Sequence, residues 1–220
     1  MIIYVKFATI DGAGNTLAQA GRCDIQPPDP PLRASTDSLP AIGVLTMDVA
    51  DLSTLETNGT LQAVITHEMG HTLGFGAGFF ALKGFLQSPS VPGSPGVDTH
   101  FNGPQAIAQM DAAGGAAYVG AKVPIENTAI AGQADGHWRE SVFDAELMTP
   151  FIENSGPMPL SAVTAAALLD LRYGVNLAGA QAFTLSPPPG VARMTAFKVP
   201  LGNDVVFYPL PPSVLVGTRR

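Results

Sequence analysis

The sequence predicts an α+β fold, with strands leading and helices following. Three observations predict it. Residues 2–10 (IIYVKFATI) and 41–49 (AIGVLTMDV) are rich in β-branched and aromatic residues, the composition of strands. Residues 60–73 (TLQAVITHEMGHTL) carry apolar side chains at helical spacing around two histidines. The 24 glycines and 20 prolines, with charged residues at only 13%, call for many turns rather than a helical bundle.

Taken in order, 2–10 is the first strand, and DGAGN at 11–15 is a turn signal. NTLAQAG (15–21) follows as a short second strand, expected to form a hairpin with the first. Residues 26–40 are a proline-laden loop, and 41–49, apolar almost throughout, is a buried third strand. The helix over 60–73 has Thr60 as its N-cap and Leu61, Val64, Ile65 and Met69 as apolar anchors, with Gly74, Gly76 and Gly78 to stop it. Residues 87–103 are a second loop. Residues 104–115 form a helix opened by Pro104, and 124–136 are irregular. The last helix covers 161–173, capped by Ser161 and stopped by Gly174, and the chain beyond Asn176 is punctuated by proline.

Composition excludes several function classes. The net charge of −7 offers no basic surface to neutralise phosphates, which argues against a nucleic-acid partner. No stretch approaches the roughly 18–20 apolar residues of a membrane span. The N-terminal MIIYVKFATIDGAG lacks the pattern of a secretory signal. Cys23 is the single cysteine, so no intrachain disulfide forms, and packing is its expected role.

The chemistry concentrates in ITHEMGHTLGFGAGFF (65–80). Positions i and i+4 share one face of a helix, so His67 and His71 present imidazoles to the same point. Zinc accepts such nitrogens, and a catalytic site adds a third protein ligand and keeps one position open. Glu68, one residue round from His67, stands where it can act as general base on a zinc-bound water. The bland alternative is a solvated surface helix. The apolar character of the segment, with Glu68 its only charged group from Thr60 to Phe80, favours the metal instead.

Position 77, where a compact motif of this kind places its third histidine, is Ala. The remaining candidates rank as His137 first, Glu140 second and His100 third. Glu140 enters because Asp144 stands four residues later, a spacing by which some zinc proteases carry a glutamate ligand and its carboxylate partner on one helix.

HEMGHTLGF, then GHW at 136–138, then ELMTP at 146–150 resemble the zinc site of a leishmanolysin-like metzincin, in which a long segment separates the helix from the third histidine. IIYVKFATIDG, LAQAG, AIGVLTMDV and PLSAVTAAALLDLRYGVN are similar to the strands before and the helix after that site. The resemblance covers roughly residues 2–178. It implies a zinc endopeptidase with His67, His71 and His137 as ligands, Glu68 as general base and Met148 as the residue of the Met-turn beneath the metal. It implies one catalytic domain over 1–220: an upper lobe of twisted sheet and active-site helix to about 76, an insertion and irregular lower lobe with a C-terminal helix to about 178, and a Pro-rich tail from 179. Gly74 matches the glycine at which the chain leaves the upper lobe.

The family's domain begins earlier, with further strands and a helix, and its parasite members are disulfide-rich. Position 150 is Pro where some metzincins have an extra tyrosine ligand. The partner implied is a peptide or protein substrate, paired along the edge strand 15–21, and the location implied is secreted or extracellular. Trp138 and Arg139 have packing and a surface ion pair as their expected roles. Two other readings stay open: a zinc protease using Glu140 as third ligand, and a non-catalytic binding protein with a metzincin-like shell.

Overall fold

Strand β1 (Ile2–Ala8) runs parallel to β3 (Ile42–Asp48), with Ile2 opposite Ile42 and Ala8 opposite Asp48. Strand β2 (Ala18–Asp24) lies antiparallel on the other side of β3, from Ala18 opposite Met47 to Arg22 opposite Gly43. A short strand β9 (Tyr208–Pro209) completes the order β1-β3-β2-β9. This computed structural model describes residues 1–24, 39–91, 93–117, 121–128, 132–153, 156–185, 198–206 and 208–209. The proline-rich parts of 26–40 and much of the tail beyond 185 lie outside the described residues.

The expected hairpin between the first two strands does not form, because β3 lies between them. β3 is buried along most of its length, whereas β1 is exposed at nearly every position. β3 takes the centre, flanked by β1 and β2 with α2 packed on it, although β1 is at least as apolar in sequence. The turn after β1 is held by side chains instead of hairpin bonds. The backbone N–H groups of Ile10, Asp11 and Gly12 donate to Asp48 Oδ2, and that of Gly14 donates to Asp51 Oδ1 at 2.7 Å. Backbone bonds, led by that from Ala50, hold the Asp48 carboxyl below its usual range.

Helix α1 (Leu52–Thr57) occupies a stretch the sequence left unassigned. Helix α2 (Leu61–Thr72) packs on the sheet, with Val64 buried beside Leu45, Met47 and Leu55. A Cβ on Gly43 would stand 2.6 Å from Thr72 Cβ, so glycine permits this close approach. Thr60 occupies the N-cap position, but its hydroxyl donates back to Leu55 O and caps nothing in α2. Met69 is 42% exposed rather than anchored. Gly74 takes φ 95°, and the chain turns directly into α3 (Ala77–Leu82).

Beyond it, β4 (Leu86–Gln87), β5 (His100–Phe101) and β6 (Val123–Pro124) make a small antiparallel sheet. Helix α4 (Pro104–Ala112) and α6 (Ala162–Asp170) pack together, with the one-turn α5 (Glu140–Phe143) between them in sequence. Ser161 caps α6 through Thr164 N. The left-handed residue past that helix is Arg172 (φ 83°), not Gly174. Strand β7 (Phe151–Glu153) pairs with β8 (Lys198–Pro200), so residues expected only as a Pro-rich tail add strands to two sheets.

Two hydrophobic clusters result. One lies under the main sheet. The other is aromatic and gathers Phe75, Phe80, Phe101 and Phe143 around the fully buried Trp138. Helix α2 lies against both, Val64 belonging to the first and Ala63 packing on the second. That position buries its histidine face.

Candidate metal centre

Helical spacing puts His67 and His71 on the same face of α2, and their Nε2 atoms stand 2.9 Å apart. His137, in the irregular stretch before α5, brings its Nε2 to 3.2 Å from His67 Nε2. Each ring is oriented from behind by a main-chain carbonyl. Nδ1 of His67 donates to Leu147 O at 2.6 Å, that of His71 to Phe75 O at 2.7 Å, and that of His137 to Gln133 O at 3.0 Å.

A carbonyl only accepts, so each Nδ1 carries the proton and each Nε2 presents its lone pair inward. Three lone pairs meeting in a buried space repel one another unless a cation or protons lie between them. This donor set, with orienting acceptors behind every ring, fits a divalent metal of borderline softness such as zinc.

A fourth group completes the cluster. Asp204 Oδ2 lies 3.0 Å from His137 Nε2, 3.3 Å from His67 Nε2 and 3.9 Å from His71 Nε2, and its ligand atom belongs to the same group within 4.8 Å. All four residues are buried. Burial lowers the basicity of His67 and drives that of His71 well below the ordinary imidazole value. Burial also opposes the charged form of His137, but the Asp204 carboxylate outweighs it and the net shift is upward. Asp204 itself is held well below its usual range: burial opposes ionisation, and a proton on His137 Nε2, standing where the cation would, overrides it by charge and hydrogen bond.

Glu68 is fully buried, and neither carboxylate oxygen has a hydrogen-bond partner among the described residues. Burial first, then the Asp204 charge, push its carboxyl well above the ordinary range. A buried carboxylate with no protein partner is expensive in a purely structural setting, which marks Glu68 as a candidate functional group beside the histidines.

Met148 is buried beneath α2, its Sδ and Cε 2.8 Å from where a Cβ on Gly70 would stand. The turn that carries it orients two histidine-bearing segments, since Leu147 O accepts from His67 and Met148 O accepts from Trp138 N at 2.9 Å. Glu146 locks that turn. One oxygen accepts from Met148 N at 2.6 Å, the other from Ser161 N, Ser161 Oγ and Thr164 Oγ1, and Thr164 in turn accepts from Trp138 Nε1 at 2.7 Å.

The other two candidates for the third ligand are engaged elsewhere. Glu140 and Asp144 hold Lys198, together with Glu153, and Glu140 is not in the histidine cluster, which corrects the glutamate-ligand alternative. Its short helix ends before Asp144, which has φ 51°. His100, on β5, donates to Asp98 O. Trp138 packs as expected, while the guanidinium of Arg139 donates to Ile125 O and Thr99 O.

Sequence reasoning missed Asp204 and the role of Glu146. Asp204 sits in LGNDVV with no ligand spacing to mark it. Glu146 stands inside ELMTP, and no sequence signal marks it as buried or as the acceptor for Ser161 and Thr164.

Three buried histidines, two on α2 and one in the stretch before α5, form with Asp204 a group that could hold a metal ion within an α+β fold. The leishmanolysin family model matches residues 1–187, and the chain belongs to that family, whose members are zinc-dependent metallopeptidases. It is 28% identical over 196 residues to a leishmanolysin homolog of Crithidia fasciculata, covering 88% of this chain and 28% of that protein. It is also 28% identical over 173 residues to leishmanolysin of Leishmania donovani, covering 78% of this chain and 27% of that protein. The chain thus spans less than a third of the length of these relatives.

Proposed function

We propose that the protein is a zinc-dependent endopeptidase whose site is built by His67, His71, His137 and Glu68. The single observation that supports this most is the convergence of three Nε2 atoms, each ring oriented by a carbonyl, beside a buried and unpartnered Glu68 carboxylate. A zinc ion held there would supply Lewis acidity for a peptide carbonyl and would acidify water.

The chain's own residues do the rest. Glu68 takes the proton of the attacking water and passes it to the leaving nitrogen, as its raised basicity and lack of other partners suit it to do. Leu147 O, Phe75 O and Gln133 O fix the imidazole tautomers. Met148 supports the helix face from below, and Pro150 offers no hydroxyl to a developing oxyanion.

We read residues 1–220 as one catalytic domain with an upper lobe to about 76 and a lower lobe from about 77. We read peptides or proteins as the substrates and a secreted or surface location as the setting, a reading the family supports. Among the described residues no helix is long and apolar enough to cross a membrane.

Glu68→Gln should keep zinc while lowering turnover of a denatured protein substrate by at least about 100-fold. His137→Ala should lose zinc, and Glu140→Ala should keep it. Each variant is measured in the parent and in an Asp204→Ala background, so that a carboxylate resting on the site cannot hide turnover. Equal turnover with and without Glu68 in both backgrounds would sink the peptidase reading in favour of a binding protein with a peptidase-like shell.

A further inference from the structure

A catalytic zinc centre keeps one position open, whereas four protein donors close it. Here a fourth donor arrives from a segment beyond the residues matched by the family model, which end at 187. Its Oδ2 lies 3.0, 3.3 and 3.9 Å from the three imidazole Nε2 atoms, and its Oδ1 is buried with no partner among the described residues.

The segment is seated by specific contacts. Leu201 is fully buried, donating to Pro150 O and accepting from Leu17 N. Ala20 N donates to Asp204 O at 2.7 Å, and Val206 N donates to Ala20 O at 3.0 Å, so the chain either side of Asp204 runs along the outer edge of β2. The pairing continues with Cys23 opposite Tyr208, whose hydroxyl lies 3.2 Å from Thr46 Oγ1.

Two glycines make room for it. A Cβ on Gly21 would stand 1.8 Å from Val206 O, and one on Gly132 would stand 2.5 Å from Asn203 Cα. The edge of β2 is where an extended substrate would add as a strand, and this segment already fills it.

We propose that residues 201–206 and 208–209 form a built-in latency element: Asp204 is a fourth protein ligand to the metal, and the residues after it occupy the substrate edge of β2. This rests on the metallopeptidase reading above. Because the carboxylate is tethered, it competes at high effective concentration against any free ligand. Turnover then requires that the segment be displaced or removed.

The test uses the full chain loaded with cobalt(II) in place of zinc, in the parent and in Asp204→Asn, Asp204→Ala and Gly21→Val variants. Cobalt d–d absorption reports the donor set, competition with a chelator reports affinity, and acetohydroxamate is the probe for an open position. Asp204→Asn preserves shape and removes a buried charge, so it guards against a folding artefact in Asp204→Ala.

The parent should show a spectrum insensitive to acetohydroxamate. Both Asp204 variants should shift the spectrum, weaken metal affinity by at least about tenfold, and bind the hydroxamate. Gly21→Val should shift the spectrum with Asp204 still present, because it pushes the strand from its seat. Peptide turnover should rise at least about tenfold in the Asp204→Ala variant.

Unchanged spectrum and affinity in both Asp204 variants would overturn the proposal, even if turnover rose. A shifted spectrum with no turnover in any variant would leave Asp204 as a ligand and overturn the peptidase reading instead.

Discussion

The region from Ile2 to Thr72 and the region from Phe75 to Tyr173 hold their backbones in different ways. In the first, β1 and β3 pair over their full lengths and β2 adds a second ladder, so hydrogen bonds are spread over many residues, and the buried Asp48 carboxylate gathers only the turns that follow β1 and β3. In the second, the strands β4, β5 and β6 are two residues each. Buried carboxylates take over there. Glu126 accepts from Asn127 N, Thr128 N and Glu140 N; Asp170 accepts from Gln105 N and Ala106 N; Glu146 gathers the methionine turn and the start of α6. A ladder distributes stability, whereas a carboxylate hub concentrates it in one side chain.

Glu146→Ala is the strongest way to test that contrast. It would leave buried donors at Met148, Ser161 and Thr164 without their acceptor. Each such loss costs about 1–3 kcal/mol, and relief of the buried charge offsets part of it. A net loss of about 3–5 kcal/mol in denaturant unfolding is expected. Metal affinity should fall as well, because Leu147 O would no longer hold His67. A loss below about 1 kcal/mol would show that the hub is redundant and the contrast false.

Asp170→Ala is a milder version. It frees the first N–H groups of α4, for an expected loss of about 1–2 kcal/mol measured the same way. Its effect on metal affinity should be nil, since Asp170 touches no ligand segment. Any change in affinity would mean that the α4–α6 pair, not Glu146 alone, sets the ligand geometry.

The same contrast explains what the sequence makes legible. Strands at 2–10 and 41–49, the helix at 60–73 and the helices opened by Pro104 and Ser161 all stand near their predicted places. Each is marked by local periodicity or a capping residue. Which strand pairs with which is not local: β3 displaces the expected hairpin because burial of its two faces is decided by the whole fold.

The candidate site divides likewise. His67, Glu68 and His71 are tied by helical spacing, and His137 comes from a short inventory of histidines. Asp204 belongs to no pattern and is reached only through tertiary contacts of the C-terminal segment. Glu126 and Glu146 look like ordinary surface carboxylates until their donors are seen.

Tyr173 links the two regions, its hydroxyl donating at 2.7 Å to Leu73 O, the C-cap residue of α2. Burial pushes its phenol up to about 12, from an ordinary value near 10. The folded state thus keeps a proton that the unfolded chain releases, so this contribution is complete below pH 10 and is lost as pH rises toward about 12. Tyr173→Phe should cost about 1 kcal/mol at neutral pH and flatten that part of the alkaline decline in stability. An unchanged alkaline limb would show that α2 does not depend on the second region for its C-terminal cap.

The smallest effect is expected at the outer edge of the ladder region. Phe7 on β1 is 64% exposed, while Phe80 in the aromatic cluster is fully buried. Truncating a buried phenylalanine costs about 3–5 kcal/mol through lost transfer energy and the cavity left behind. An exposed one has neither term, and the β1–β3 ladder uses only backbone groups, so Phe7→Ala should change stability by no more than about 0.5 kcal/mol. Thermal unfolding of Phe7→Ala and Phe80→Ala, each across a range of protein concentrations, separates the cases. A concentration-dependent loss at Phe7 would mean that the β1 face is covered in solution, and the ladder region would then rely on side-chain burial as much as the region it is compared with.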